Sequence, residues 1–125
     1  MEEILYKTEE FNGVQVHLYR NENELVLLTA EDIGKILGYA APRPVIENIY
    51  KKNMTHIDPY VECSDKKKFF NPKGVIEICS HSSSRYAPYL RTYAWLLYEG
   101  ARENELTAII TMLKNPGALR KIQGV

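Results

Sequence analysis

A capped amphipathic helix, closed by a glycine and followed within six residues by two prolines, most narrows what this chain can fold into. Thr29 is a good N-cap, and Asp32 three residues on resembles a capping box. Ile33, Ile36 and Leu37 form the apolar stripe, and Gly38 stands where a left-handed residue would close the helix. A second helix is expected through Val45, Ile46, Ile49 and Tyr50. Proline disfavours helical backbone in the residue before it, so Pro44 should hold Arg43 outside the helix. The second helix is therefore expected to begin near Pro44 rather than at Ala41.

This order fits a helix-turn-helix, which needs a small residue where two helices cross and a turn between them. Gly34 suits the crossing, Gly38 the turn, and Val45 and Ile49 the inner face of the second helix. The order is similar to the headpieces of lactose-repressor-type regulators. On that reading Arg43, Glu47, Asn48 and Lys51 face outward, with Lys52 beside them. Arginine and asparagine can read guanine and adenine edges, and lysines grip phosphate. The same pattern also describes an αα-corner packed inside an α+β core. Two prolines at the start of a recognition helix and an outward glutamate favour that second reading.

Strand signals flank the pair. Residues 11–29 read as a β-hairpin: Val14, Val16 and Leu18 alternate with Gln15, His17 and Tyr19, and residues 21–24 make the turn. The short apolar run of the return strand, Leu25 to Leu28, suggests partial burial on both faces. His56–Glu62 and Lys66–Phe70 read as a second hairpin around Ser64-Asp65. Asn71-Pro72 is a cap with proline at the first helical position, opening a short helix through Cys79. Ser82-Ser83-Ser84 links it to a long helix from about Arg85 to Glu99, with Tyr86, Tyr89, Leu90, Tyr93 and Leu97 on one stripe. Trp95 and Tyr98 lie off that stripe and are the better candidates for an exposed or dimer surface, but packing within the core is the favoured expectation for the aromatic side chains of this helix. Leu106, Ile109, Ile110 and Leu113 mark a last helix. The expected fold is α+β: two β-hairpins interleaved with about five helices, including the helix-turn-helix-like pair. Residues 1–115 are read as one domain and 116–125 as a short basic tail or the start of a linker.

Charge is divided along the chain. Residues 1–40 carry three basic and eight acidic side chains, and residues 41–125 carry thirteen and eight, so the net charge is zero. Such a division can steer a polyanion to one face or make a self-complementary dimer surface. Lys66, Lys67 and Lys68 beside Phe69 and Phe70 could lie along a phosphate backbone, with Lys73 and Arg85 extending that surface. Three lysines at a turn are more often a solvated hairpin tip that protects an edge strand.

Little points to catalysis. His17, His56 and His81 lack metal-ligand spacing, and no phosphate-binding glycine loop, dinucleotide fingerprint or serine elbow is present. Cys79-Ser80-His81 reads as a buried thiol beside a surface histidine. Both cysteines, Cys63 and Cys79, are expected to be buried and reduced. No cofactor is expected. No apolar run approaches the roughly 18 residues that span a bilayer, and the acidic start, Met1-Glu2-Glu3, is unlike a signal peptide. A cytoplasmic protein is therefore expected.

The segment Leu28–Tyr39, a strand entering an Asp-containing helix that ends Leu-Gly-Tyr, resembles the BRO-N domain of phage antirepressors and baculovirus BRO proteins. Phe11-Asn12-Gly13 ahead of a strand, Phe69-Phe70-Asn71-Pro72-Lys73-Gly74-Val75, and Trp95-Leu96-Leu97-Tyr98-Glu99 are similar to further parts of that domain. The likeness covers residues 11 to about 100. It departs at Gly100-Ala101-Arg102, where that family has an Ile-Arg. What the resemblance implies is viral or prophage regulation, through double-stranded DNA or through a phage-type repressor, and no catalytic residues. A homodimer is a further expectation.

Overall fold

The computed structural model describes residues 4–11, 13–23, 25–64 and 67–99. Its strands are β1 (Ile4–Phe11), β2 (Val14–Arg20), β3 (Val26–Thr29), β4 (Val61–Ser64) and β5 (Lys67–Phe70). Its helices are α1 (Ala30–Ile36), α2 (Pro42–Lys52), α3 (Met54–Ile57), α4 (Pro72–Ser80) and α5 (Ala87–Tyr98). The fold is α+β, as the patterning requires.

The two expected hairpins are joined into one antiparallel sheet of order β1-β2-β3-β5-β4. The seam is the pairing of Leu28 with Phe70 and Thr29 with Phe69. Strand β1 adds an edge beyond the expected hairpins. It pairs with β2 along its length, and Gly13 at φ +77° makes the tight return. Alternation then sorts the side chains. Phe11, Val16, Leu18, Leu28 and Phe70 enter the main core, while Leu27 and Phe69 are buried outside it. Leu27 and Leu28 are both fully buried, on opposite faces, more completely than the apolar run alone suggests.

The helices pack against that core. Ile33 and Ile36 of α1, Ile46 and Tyr50 of α2, Ile57 of α3, Val75 and Ile78 of α4, and Leu90 and Tyr93 of α5 close it. Phe11 and Tyr93 meet edge to face at 5.7 Å, and Tyr50 and Phe70 at 6.0 Å. On α2 the innermost residues are Ile46 and Tyr50, with Val45 and Ile49 half-buried beside them. Asn71 caps α4 by accepting from the Gly74 N–H at 3.0 Å, as its sequence indicates.

Four expectations need correction. Helix α2 starts at Pro42, not near Pro44. The first N–H groups of a helix have no intrahelical acceptor, so proline fits there, and Arg43 is held helical between the two prolines. Residues 56–60 are not strand: α3 and a 3-10 turn, Asp58–Tyr60, occupy them, and β4 begins only at Val61. Pro59, which cannot donate to a ladder, fits the turn. Helix α5 starts at Ala87 rather than Arg85. Ser84 holds the turn before it, accepting from the Tyr86 N–H at 3.1 Å. Cys63 is exposed on strand β4, at the edge of the sheet, and only Cys79 is buried. The helix expected over residues 106–113 and the basic tail lie outside the described residues. No helix among the described residues is long and apolar enough to cross a membrane.

Candidate nucleic-acid interface

Helix α1 is placed by two bonds that meet at Asp32. Its N–H donates to Thr29 Oγ1 at 3.3 Å, completing the expected cap. Its carboxylate, instead of returning to Thr29, accepts the His17 N–H of β2 at 3.0 Å. A buried carboxylate thus ties the first turn of α1 to the sheet, where the helix dipole also favours a negative charge. Gly34 faces Pro42 so closely that an added Cβ would lie 2.5 Å from the Pro42 Cα, which sets how near α2 approaches. Gly38 adopts φ +82° beyond the end of α1 and lets the chain turn into α2.

This packing leaves a cleft of about 410 Å³ lined by residues of β2, β3, β5, α1 and α2. Lys35 comes from α1, Arg43 from α2, and Lys67 and Lys68 from β5. The two basic features that the sequence presents separately, the helix-turn-helix-like pair and the lysine hairpin, therefore border one opening. Arg43 is well exposed and its Nε lies 3.2 Å from Glu47 Oε1, one helical turn on. Lys68 is half-buried with its ammonium 4.8 Å from the centre of the Tyr50 ring. That ring is itself anchored by the Tyr50 hydroxyl donating to Asp58 at 2.5 Å. The bond to Asp58, with burial, pushes the phenol up to about 12. Lys35 and Lys67 have no acidic partner among the described residues.

The remaining candidates are distributed differently. Lys51 is exposed two helical turns beyond Arg43 on α2, and Asn48 and Lys52 are exposed farther round the same helix. Lys73 lies elsewhere, 4.9 Å from the Tyr98 ring centre and 5.8 Å from that of Tyr60. Arg85 stacks on Tyr86 and donates to its hydroxyl at 2.7 Å. Tyr86 is the ring facing Gly38 beyond the C-terminal end of α1, whereas the cleft borders that helix's N-terminal turn. Neither Lys73 nor Arg85 lines the cleft. Lys66 lies outside the described residues.

Sequence reasoning missed Lys35, Tyr19, Glu31 and Asp32 as parts of this site. Glu31 and Lys35, four residues apart on the side of α1 away from Ile33 and Ile36, were the signal available. Tyr19 also lines the cleft, its ring set edge to face on Phe69 at 5.1 Å. Burial, and secondarily the Asp32 charge, holds its phenol above the usual range. Burial likewise pushes the Cys79 thiol up to about 12, so it carries no thiolate at neutral pH. No group of three or more His, Cys, Asp or Glu side chains among the described residues could hold a metal ion.

Comparison with models of protein families, with curated proteins and with solved structures found no match.

Proposed function

We propose that this chain is a phage- or prophage-type regulatory module that binds double-stranded DNA and modulates transcription in the cytoplasm. The observation that carries the reading is the convergence of Lys35, Arg43, Lys67 and Lys68, from α1, α2 and β5, on one opening. Cations fixed on separate rigid elements track a phosphate backbone better than a mobile tip does. Beyond the opening, α2 presents Asn48, Lys51 and Lys52 to solvent. Pro42 and Pro44 deprive its first turn of two N–H donors, so contacts there come from side chains. The likeness of Leu28–Tyr39 to BRO-N domains supports the regulatory half of the reading, and no catalytic role is assigned to any residue.

Fluorescence anisotropy with a labelled random 30-base-pair duplex tests it. Micromolar or tighter binding at low salt, weakening steeply toward physiological salt, is expected. Absence of binding at low salt would refute contact with duplex DNA of unselected sequence.

A second reading is favoured by a different surface. Trp95 and Tyr98 are 49% and 47% exposed, with ring centres 5.6 Å apart. Paired exposed aromatics of this kind suit protein interfaces. On that reading the chain is an antirepressor or oligomerisation domain that engages a repressor or a second copy. Light scattering that shows a strict monomer, together with no capture of phage-type repressors, would count against it.

A further inference from the structure

The rim of the cleft suits a polyanion, but its full lining does not. Glu31 and Glu47 share it with the four cations, and Asp32 is buried beneath. Two of these carboxylates have evident work: Asp32 anchors α1 to β2, and Glu47 pairs with Arg43. Glu31 is exposed and has no hydrogen-bond or ion-pair partner among the described residues. A run of phosphates gains nothing from such a group. A ligand with an anion at one end and an N–H-bearing ring at the other would use both signs of charge. Tyr19 lines the same cleft and supplies a ring fixed against Phe69. The cleft, at about 410 Å³, falls within the roughly 300–1,000 Å³ of small-ligand pockets.

We propose that this cleft holds a single unstacked nucleotide, its phosphate on Lys67 and Lys68, its base against Tyr19 and a base N–H donated to Glu31. The inference rests on reading the rim as a nucleic-acid surface and adds what the interior takes. The nucleotide is either free or a unit of a single strand, and both present the same chemistry.

The test is an NMR titration of the full chain with adenosine monophosphate, adenosine and inorganic phosphate at constant ionic strength. Adenosine monophosphate is expected to shift the amides of Tyr19, Glu31 and Lys67 saturably, and to bind at least tenfold tighter than either fragment. Replacing Tyr19 with leucine should weaken it roughly tenfold, the effect of one lost base–aromatic stack. Glu31→Ala, an exposed change, should weaken adenosine monophosphate severalfold and strengthen duplex binding, because a charge that repels phosphate is gone. Equal affinity for adenosine monophosphate and inorganic phosphate would overturn the proposal. So would indifference of adenosine monophosphate to both variants. A ten-nucleotide single strand that displaces adenosine monophosphate and binds more tightly identifies a strand as the source. Tighter binding of the free nucleotide identifies a small ligand. Loss of duplex binding with adenosine monophosphate binding intact sinks only the DNA reading. Duplex binding without shifts from adenosine monophosphate sinks only this one.

Discussion

Replacing Gly34 with alanine isolates the contact that sets the α1–α2 approach. In an unconstrained helix interior this change stabilises by about 1 kcal/mol, because alanine is the better helix former. Gly34 is helical, so nothing in its backbone forbids alanine. The added Cβ, however, would lie 2.5 Å from the Pro42 Cα, 2.5 Å from its carbonyl oxygen and 2.6 Å from its Cβ. Carbon atoms in contact sit about 3.5–4.0 Å apart. The helices must therefore separate by about 1 Å, and two of the obstructing atoms are backbone that cannot swing aside. Overpacking of this kind costs about 1–3 kcal/mol, and a rigid obstruction belongs at the upper end. Set against the propensity gain, the net loss is about 2 kcal/mol. At a slope of about 2 kcal/mol per M, the urea midpoint should fall by about 1 M. Urea denaturation followed by far-ultraviolet circular dichroism reads it directly. Separation also moves Arg43 and Glu47, so duplex binding should weaken under conditions where the variant is still folded. A variant as stable as the parent, or more stable, would refute the close-crossing argument.

Other outcomes are equally definite. A thiol reagent at neutral pH should modify Cys63 promptly in the folded chain and reach Cys79 only as the protein unfolds, because Cys79 is buried and its thiol stays protonated; rapid modification of both would contradict the placement. Tyr50→Phe keeps the ring beneath Lys68 and against Phe70 but removes the bond to Asp58, and should cost about 1 kcal/mol in denaturation experiments. The Tyr50 phenol is raised from 10.0 to about 12 in the folded chain, so its contribution is whole below pH 10 and is lost as pH rises through 12. The stability difference between parent and Tyr50→Phe should therefore be constant from neutral pH to about 9 and shrink above 10; growth in alkali would reverse the assignment. Asn71→Ala should destabilise by about 1 kcal/mol through loss of the α4 cap, and a neutral effect would show that the cap contributes nothing.

What the sequence disclosed and what it hid divide along physical lines. Signals confined to one turn of chain were legible. Thr29 and Asn71 cap helices because their side chains reach an N–H three residues away, and Gly38 takes the left-handed conformation that other residues avoid. Alternation from Val14 to Leu18 placed β2 and its inward face. Residues 56–62 misled because Ile57 and Val61 are apolar at even spacing, although Pro59 between them was the available warning. Strand β1 went unread because Lys7, Glu9 and Glu10 give an edge strand little hydrophobic signature. The candidate site was legible only in pieces. Arg43 belongs to the helix-turn-helix-like pair and Lys67 and Lys68 to the lysine hairpin, two features legible separately, but their meeting depends on β3 pairing with β5, a long-range choice no local pattern encodes. Lys73 and Arg85 have the same residue chemistry, and the fold places neither on the cleft.

Duplex affinity measured as a function of salt for the parent, the combined variant Arg43→Gln/Lys67→Gln/Lys68→Gln, and the control Lys73→Gln/Arg85→Gln tests the DNA-binding proposal most directly. Each lost phosphate contact lowers the slope of log affinity against log salt by about 0.9. The cleft variant should lose about 2–3 in slope and at least tenfold in affinity near 100 mM salt. The control should retain the parental slope, since neither of its residues lines the cleft. An unchanged slope for the cleft variant, or an equal loss for the control, would contradict the assignment of this opening as the surface that meets DNA.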